Sequence, residues 1–226
     1  MLLYNKRIVV TGGSGRFGQI LKKNEKSFKF VFFFPNKKKF NILKYKSLKT
    51  YLKKIKPKYL IHLAGLSRPM SIHDKNIIQS IDKNIIGTAN VTKICSELGI
   101  KLIYVSTSYV YPGTKGNYNE NSSLLPINNY AWSKLGGESS VKLYKNSLIL
   151  RASITEKPFV HKEAFHDLKT NFIFHEDLIR GIMKVLKFKG TLNVGGKSQT
   201  VYNFVKKYNP KIKKISAKKI LGRNAK

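Results

Sequence analysis

Acidic residues are scarce in this 226-residue chain: 11 Asp and Glu stand against 44 Lys and Arg, a formal net charge of +33. No His, Cys or carboxylate cluster has the spacing of a metal site, so no metal is expected. Cysteine is all but missing, and the single Cys95 excludes an internal disulfide framework and fits a reducing cytoplasm. Long apolar runs are missing as well. The longest, such as "FKFVFFF", is the size of a strand and far short of the roughly 20 residues that cross a bilayer. The opening "MLLYNKRIVVTGG" runs directly into a strand pattern, without the charged, apolar and small-residue regions of an export signal. A soluble, unexported, cytoplasmic protein without a membrane partner is the expectation.

Arginine is the other shortage, with only six in the chain. Base readers and phosphate clamps lean on arginine forks, whereas the lysines here are scattered through every segment ("KKNEK", "NKKKF", "YLKKIKPK", "NPKIKKISAKK"). Such a charge attracts any polyanion. Together with abundant Asn and Ile, its even spread points to a compositional bias of the whole sequence. No specific nucleic-acid partner is therefore expected, and attraction to a phosphate-bearing ligand is the use left for the charge.

What is present is an alternation. Apolar, β-branched runs ("RIVVT", "KFVFFF", "YLIHLA", "KLIYVS", "SLILR") are each followed by a helical pattern: Arg16 to Lys23, Tyr45 to Ile55, about Ile77 to Leu98, and Tyr130 to Tyr144. Continuously apolar strands are buried on both faces, as in a parallel sheet covered by helices. A doubly wound α/β sheet is the economical inference. After Arg151 the pattern thins to a strand "TNFIF", a helix from Asp177 to Leu186 with Asp177 as its N-cap, a strand "TLNVG" and a helix around Val201 to Tyr208. The expected division is a domain over 1–152, a small lobe over 153–210, and a loose basic tail over 211–226.

The first strand ends in "TGGSGRFG", which spaces Gly12, Gly15 and Gly18 as G-x-x-G-x-x-G before a helix. Glycines there permit a tight turn, close approach of backbone to a pyrophosphate, and close packing of helix on strand. No Lys followed by Ser or Thr comes after the last glycine, which argues against a P-loop nucleoside triphosphatase. In "NNYAWSKLGGE", Tyr130 and Lys134 stand four apart and share one helix face. On a solvated face such a pair would be unremarkable.

The ordered set of "TGGSGRFG", "KPKYLIHLAG", "NIIGTANV", "LIYVSTSYVYPG", "YAWSK" and "LILRAS" resembles the extended short-chain dehydrogenase/reductases, over roughly residues 6 to 153. That group includes nucleotide-sugar epimerases, dehydratases and dTDP-4-dehydrorhamnose reductases. The resemblance implies a Rossmann-like cofactor domain with a small C-terminal substrate lobe. It also implies a Tyr-x-x-x-Lys pair in which Tyr130 is the acid/base and Lys134 its helper, holding the nicotinamide ribose as well. The third catalytic group falls on Thr107, flanked by Ser106 and Ser108 of the same chemistry. Gly12, Gly15, Arg16, Phe17, Gly18, Ala64, Gly65 and Asn84 are the implied cofactor contacts. Asn41 and Ile42 are the implied adenine contacts, with Asn41 where family members carry Asp. Arg68, Ser108 and Tyr109 are assigned to substrate, Arg68 reaching a substrate or cofactor phosphate, with a surface arginine as the rival reading. His62 is expected in the core, and His161, His166 and His175 either at the substrate or on the surface.

Pro35 and Asn36 replace the acidic residue that would bind the ribose of NAD, and Lys37 to Lys39 follow, so NADP is expected ahead of NAD. The function implied is an NAD(P)-dependent oxidoreductase on a nucleotide-linked sugar, most like a 4-keto-6-deoxy-sugar reductase. The alternatives are a nucleotide-sugar 4-epimerase and, from another class, a non-catalytic cofactor-binding or nucleic-acid-associated protein. A homodimer through the helices that include the Tyr-Lys helix is a further expectation from the resemblance.

Overall fold

A computed structural model describes residues 6–221 of the chain. The strand pattern entering from residues 1–5 and the last five residues of the predicted tail lie outside the described residues.

The apolar runs form strands β1 (Arg7–Thr11), β2 (Val31–Phe33), β3 (Tyr59–His62), β4 (Lys101–Thr107) and β5 (Ser147–Ala152). Between them lie helices α1 (Arg16–Asn24), α2 (Tyr45–Ile55), α3 (Ile72–Lys75), α4 (Ile77–Ser80), α5 (Gly87–Glu97) and α6 (Asn129–Lys142). The periodicity predicts one helix from about Ile77 to Leu98; the structure widens it into a π turn over Ile81–Ile86 between α4 and α5. The chain continues through β6 (Ile154–Thr155), β7 (Glu163–Phe165), β8 (Lys169–Thr170), β9 (Ile173–Phe174), α7 (His175–Val185), β10 (Gly190–Val194), β11 (Gln199–Thr200), α8 (Val201–Lys206), β12 (Lys213–Ile215) and α9 (Ala217–Leu221). No helix among the described residues is long and apolar enough to cross a membrane.

Six strands form one sheet in the order β10-β5-β4-β3-β1-β2, and every neighbouring pair is parallel. Successive side chains of each strand enter opposite cores. Ile8, Val10, Ile61, Ile103 and Leu150 pack with Leu21 of α1 and Leu178 and Ile182 of α7. On the other face Val9, Leu60, Leu102 and Ile149 meet Leu48 of α2, Ile94 of α5 and Val141 of α6. Each fully buried Leu or Ile stabilises by about 1.5–3 kcal/mol, so the sheet is held from both sides and the doubly wound expectation stands. The strand order reverses between β1 and β3, which opens a crevice at their carboxyl ends.

Three further expectations change. Strand β10 pairs with β5 from Gly190 opposite Leu148 to Val194 opposite Ala152, so α7 and β10 extend the sheet instead of joining a separate lobe after residue 152. The reason is packing, since α7 completes the first core. The lobe proper is built on a third core that includes Ala164, Val201, Phe204, Val205 and Ile212. The start of the tail is also ordered: β12 pairs with β7, and Asp167 accepts hydrogen bonds from the Ser216 hydroxyl and the Ala217 backbone N–H. Finally, α7 begins at His175, and Asp177 sits in its first turn, accepting from the Phe174 backbone N–H at 3.2 Å.

Candidate active site

The crevice is a cleft of about 790 Å³ lined by the glycine loop, the segment after β3, the end of β4, α6 and the segment after β5. That size suits a bound small molecule.

On the glycine-loop side, Gly12 stands at φ +69°, and a Cβ there would lie 2.7 Å from the Ala64 nitrogen. The turn closes with Gly15 N–H donating to the Gly12 carbonyl at 2.9 Å. A Cβ on Gly18 would lie 2.4 Å from the same carbonyl oxygen, so only glycine lets α1 seat this close to the loop. Helix α1 starts without a capping side chain and without an acidic residue in its first turn. Its free amides and positive dipole end at the cleft, an arrangement that fits a pyrophosphate.

On the opposite side, the Asn128 side chain accepts from Ala131 N–H at 2.8 Å and starts α6. Tyr130 and Lys134 then project from one face into the cleft. A Cβ on Gly137 would lie 2.6 Å from both the Asn84 carbonyl and the Tyr104 hydroxyl, so this glycine lets α6 press against β4 and the π turn. Tyr130 is half-buried, with its ring 5.2 Å from that of His73 and 6.5 Å from that of Tyr109. Burial and then Tyr109 push the Tyr130 phenol up to about 12, against the pull of a hydrogen bond with Thr107 and of the Arg68 charge. Lys134 is buried, donates through Nζ to the Val105 carbonyl at 2.9 Å, and lies 4.1 Å above the Tyr104 ring. Burial pushes it down to about 7, with Glu138 acting in the opposite direction. Thr107 lines the cleft beside them and accepts from Tyr109 N–H at 3.2 Å. The neighbouring Ser106 also lines it, with a buried hydroxyl that has no partner among the described residues.

Arg16, Phe17, Gly65, Arg68, Ser108 and Tyr109 share the cleft with this trio. Other expected contacts fall outside its lining. Ala64 gives its N–H to Thr11 Oγ1 at 3.0 Å. Asn84 is buried, accepting from Leu66 N–H at 2.7 Å and donating to the Leu66 carbonyl and Ser133 Oγ at 2.8 Å, so it ties the segment after β3 to α6. Ile42 packs beside Gly87, and Asn41 accepts from Leu43 N–H at 3.0 Å. His62 is a core residue, bonded to the Thr11 and Thr88 hydroxyls at 2.7 and 3.1 Å.

Sequence reasoning missed Glu156, which bridges Arg16 and Arg68 at the cleft. It left His161, His166 and His175 undecided, and the structure places His161 and His175, but not His166, in the cleft lining. The shortage of acidic residues signalled that each carboxylate would find a cation, but not which one.

Comparison with known proteins agrees with this architecture. A crystal structure of a dTDP-4-dehydrorhamnose reductase from Bacillus anthracis in complex with NADP superimposes with a TM-score of 0.84 at 23% identity, over 94% of this chain and 85% of that one. The Bordetella bronchiseptica enzyme WbmG in complex with NAD and UDP gives 0.74 at 16% identity, over 94% and 83%. Among curated sequences, the methionine adenosyltransferase 2 subunit beta of Xenopus laevis is 30% identical over 144 residues, 61% of this chain and 43% of that protein. A GDP-L-colitose synthase of Yersinia pseudotuberculosis is 29% identical over 107 residues, 47% of this chain and 35% of that protein. The chain thus spans less than half the length of these curated relatives. The family model described as the RmlD substrate binding domain matches residues 6–161, through the glycine loop, the Tyr-Lys helix and the segment after β5, and the chain belongs to that family.

Proposed function

We propose that the protein is an NAD(P)-dependent reductase of a nucleotide-linked 4-keto-6-deoxy sugar. The observation that supports this most is the convergence of Thr107, Tyr130 and Lys134 on a cleft whose other wall is a glycine loop shaped for a pyrophosphate. The solved relatives named above carry NADP or NAD, and one carries UDP. Gly12, Gly15 and Gly18 with the α1 amides would hold the dinucleotide, which when bound supplies the hydride. Tyr130 would donate its proton to the substrate oxygen, positioned by Thr107. Its phenol, pushed up to about 12 in the free protein, is protonated at neutral pH and ready to act as an acid. Lys134 would hold the nicotinamide ribose and, once charged, stabilise the phenolate left behind.

Incubation with NADPH and a nucleotide-linked 4-keto-6-deoxy sugar, followed by nicotinamide absorbance and product chromatography, tests the assignment. Loss of NADPH with formation of the 4-hydroxy-6-deoxy sugar supports it; interconversion of added 4-hydroxy epimers without net cofactor loss would mark an epimerase instead. A second assignment, a dinucleotide-binding subunit without turnover, is supported by curated relatives whose names make them subunits of a methionine adenosyltransferase. Tight cofactor binding with no turnover on any keto sugar nucleotide would favour it. We also propose a homodimer through α4 to α6, where Ile78, Ile81, Ile86 and Trp132 are exposed, to be tested by light scattering.

A further inference from the structure

Glu156 is the one acidic residue among the described residues that line the cleft. Its Oε1 accepts from Arg16 Nη1 at 2.6 Å and from Arg68 Nη1 at 3.1 Å. The three side chains come from separate segments: Arg16 opens α1 at the glycine loop, Arg68 follows β3, and Glu156 follows β6. His175, at the start of α7, lines the same cleft with 7% of its surface exposed and with an Nδ1 that has no partner among the described residues.

We propose that Glu156 stands in for a ligand phosphate: it holds Arg16 and Arg68 together across the cleft, and a diphosphate-bearing ligand binds by displacing the carboxylate from both. A carboxylate and a phosphate present similar oxygen pairs to a guanidinium, so one can take the other's place without rebuilding the arginines. The two arginine side chains are 63% and 42% exposed against 18% for Glu156, so both guanidinium groups stay open to solvent and can turn to a ligand while the carboxylate remains in the wall. The diphosphate carries more charge than one carboxylate and also gains the α1 amides, so the equilibrium favours it. Burial lowers the His175 imidazole from its ordinary range, while Glu156, then Glu176, favour its charged form against Arg68 and Arg16. The buried imidazole lines the same cleft as the carboxylate and offers the displaced Glu156 a polar partner. The identity of the diphosphate, in the dinucleotide or in the sugar nucleotide, rests on the function proposed above; the exchange itself does not.

Calorimetric titration of the whole chain with inorganic pyrophosphate and with NADP⁺ tests the exchange at fixed low salt. Glu156→Gln keeps the shape, removes the competing charge, and is expected to tighten both by roughly tenfold. Arg68→Met should weaken both, and the gain from Glu156→Gln should shrink in the double variant. Should Glu156→Gln melt below the assay temperature, Glu156→Asp, too short to reach both arginines, is expected to move affinity in the same direction. Unchanged or weaker pyrophosphate and NADP⁺ binding by a folded Glu156 variant overturns the proposal, because Glu156 would then be a fixed brace. The binding readout needs no turnover. A protein inactive on keto sugars that still shows the Glu156→Gln gain loses only the reductase assignment, and an active reductase without the gain loses only the stand-in.

Discussion

Arg151 on β5 donates through Nη2 to the Glu138 carboxylate on α6 at 2.9 Å, with both side chains almost wholly buried. The same guanidinium donates through Nη1 to the Tyr111 hydroxyl at 2.8 Å, and that hydroxyl donates to Asn193 Oδ1 of β10 at 2.8 Å. One ion pair thus fastens α6 to two strands of the sheet. Glu138 lies one turn beyond Lys134, so the pair fixes the register of the helix that carries Tyr130 and Lys134.

Breaking that pair leaves a buried charge without its partner. Glu138→Gln is therefore expected to destabilise the fold by about 3–5 kcal/mol, read as a lower urea midpoint at unchanged slope. An effect below about 1 kcal/mol, the range of exposed pairs, would mean that α6 does not depend on this contact.

Tyr130→Phe removes one hydroxyl and keeps the ring packed between His73 and Tyr109. Turnover of an accepted keto sugar nucleotide should fall by about 10²–10⁴, with cofactor affinity nearly intact. Lys134→Met should lower both rate and cofactor affinity. If Tyr130→Phe turns over as fast as the parent, the Tyr-x-x-x-Lys spacing is without catalytic meaning.

The buried Lys134 also sets a pH dependence of stability. Its folded value of about 7 lies below its ordinary 10.5, so between these pH values the unfolded chain binds the extra proton and stability rises with pH. Below pH 7 both states are protonated and the penalty is complete. In the free protein, Lys134→Met is expected to raise the melting temperature by at least a few degrees at pH 6.5, and the gain should narrow toward pH 10. A gain that is the same at both pH values would place the ammonium in water.

The proposed preference for NADP rests on the turn after β2, where Lys37 to Lys39 are exposed and Asn36 Oδ1 accepts from Lys39 N–H at 3.0 Å. Combined Lys37→Ala, Lys38→Ala and Lys39→Ala substitution should weaken NADP⁺ binding severalfold at low salt and leave NAD⁺ binding unchanged. Equal losses for the two cofactors would assign the lysines to general attraction.

The strands β1 to β5, the glycine turn and the Tyr-Lys helix were legible in the chain because each is a local pattern. Continuous apolar runs, a glycine spacing and an i, i+4 pair need only a few neighbouring residues to be recognised. The proposed trio of Thr107, Tyr130 and Lys134 was assigned from the family resemblance that these local patterns carry, with Thr107 counted from a nearby motif. Tertiary structure alone decided the remainder. It placed β10 beside β5, because α7, which follows β5 only after the short strands β6 to β9, had a core to complete, and no local pattern encodes that contact. It turned Asn84 inward to bind Leu66 and Ser133. It brought Glu156 to Arg16, 140 positions away in sequence, and Arg151 to Glu138 across the face of the sheet. Ion pairs of this kind form where folding happens to bring opposite charges within reach, and in a chain with four cations for every anion the sequence offers each carboxylate too many partners to name one.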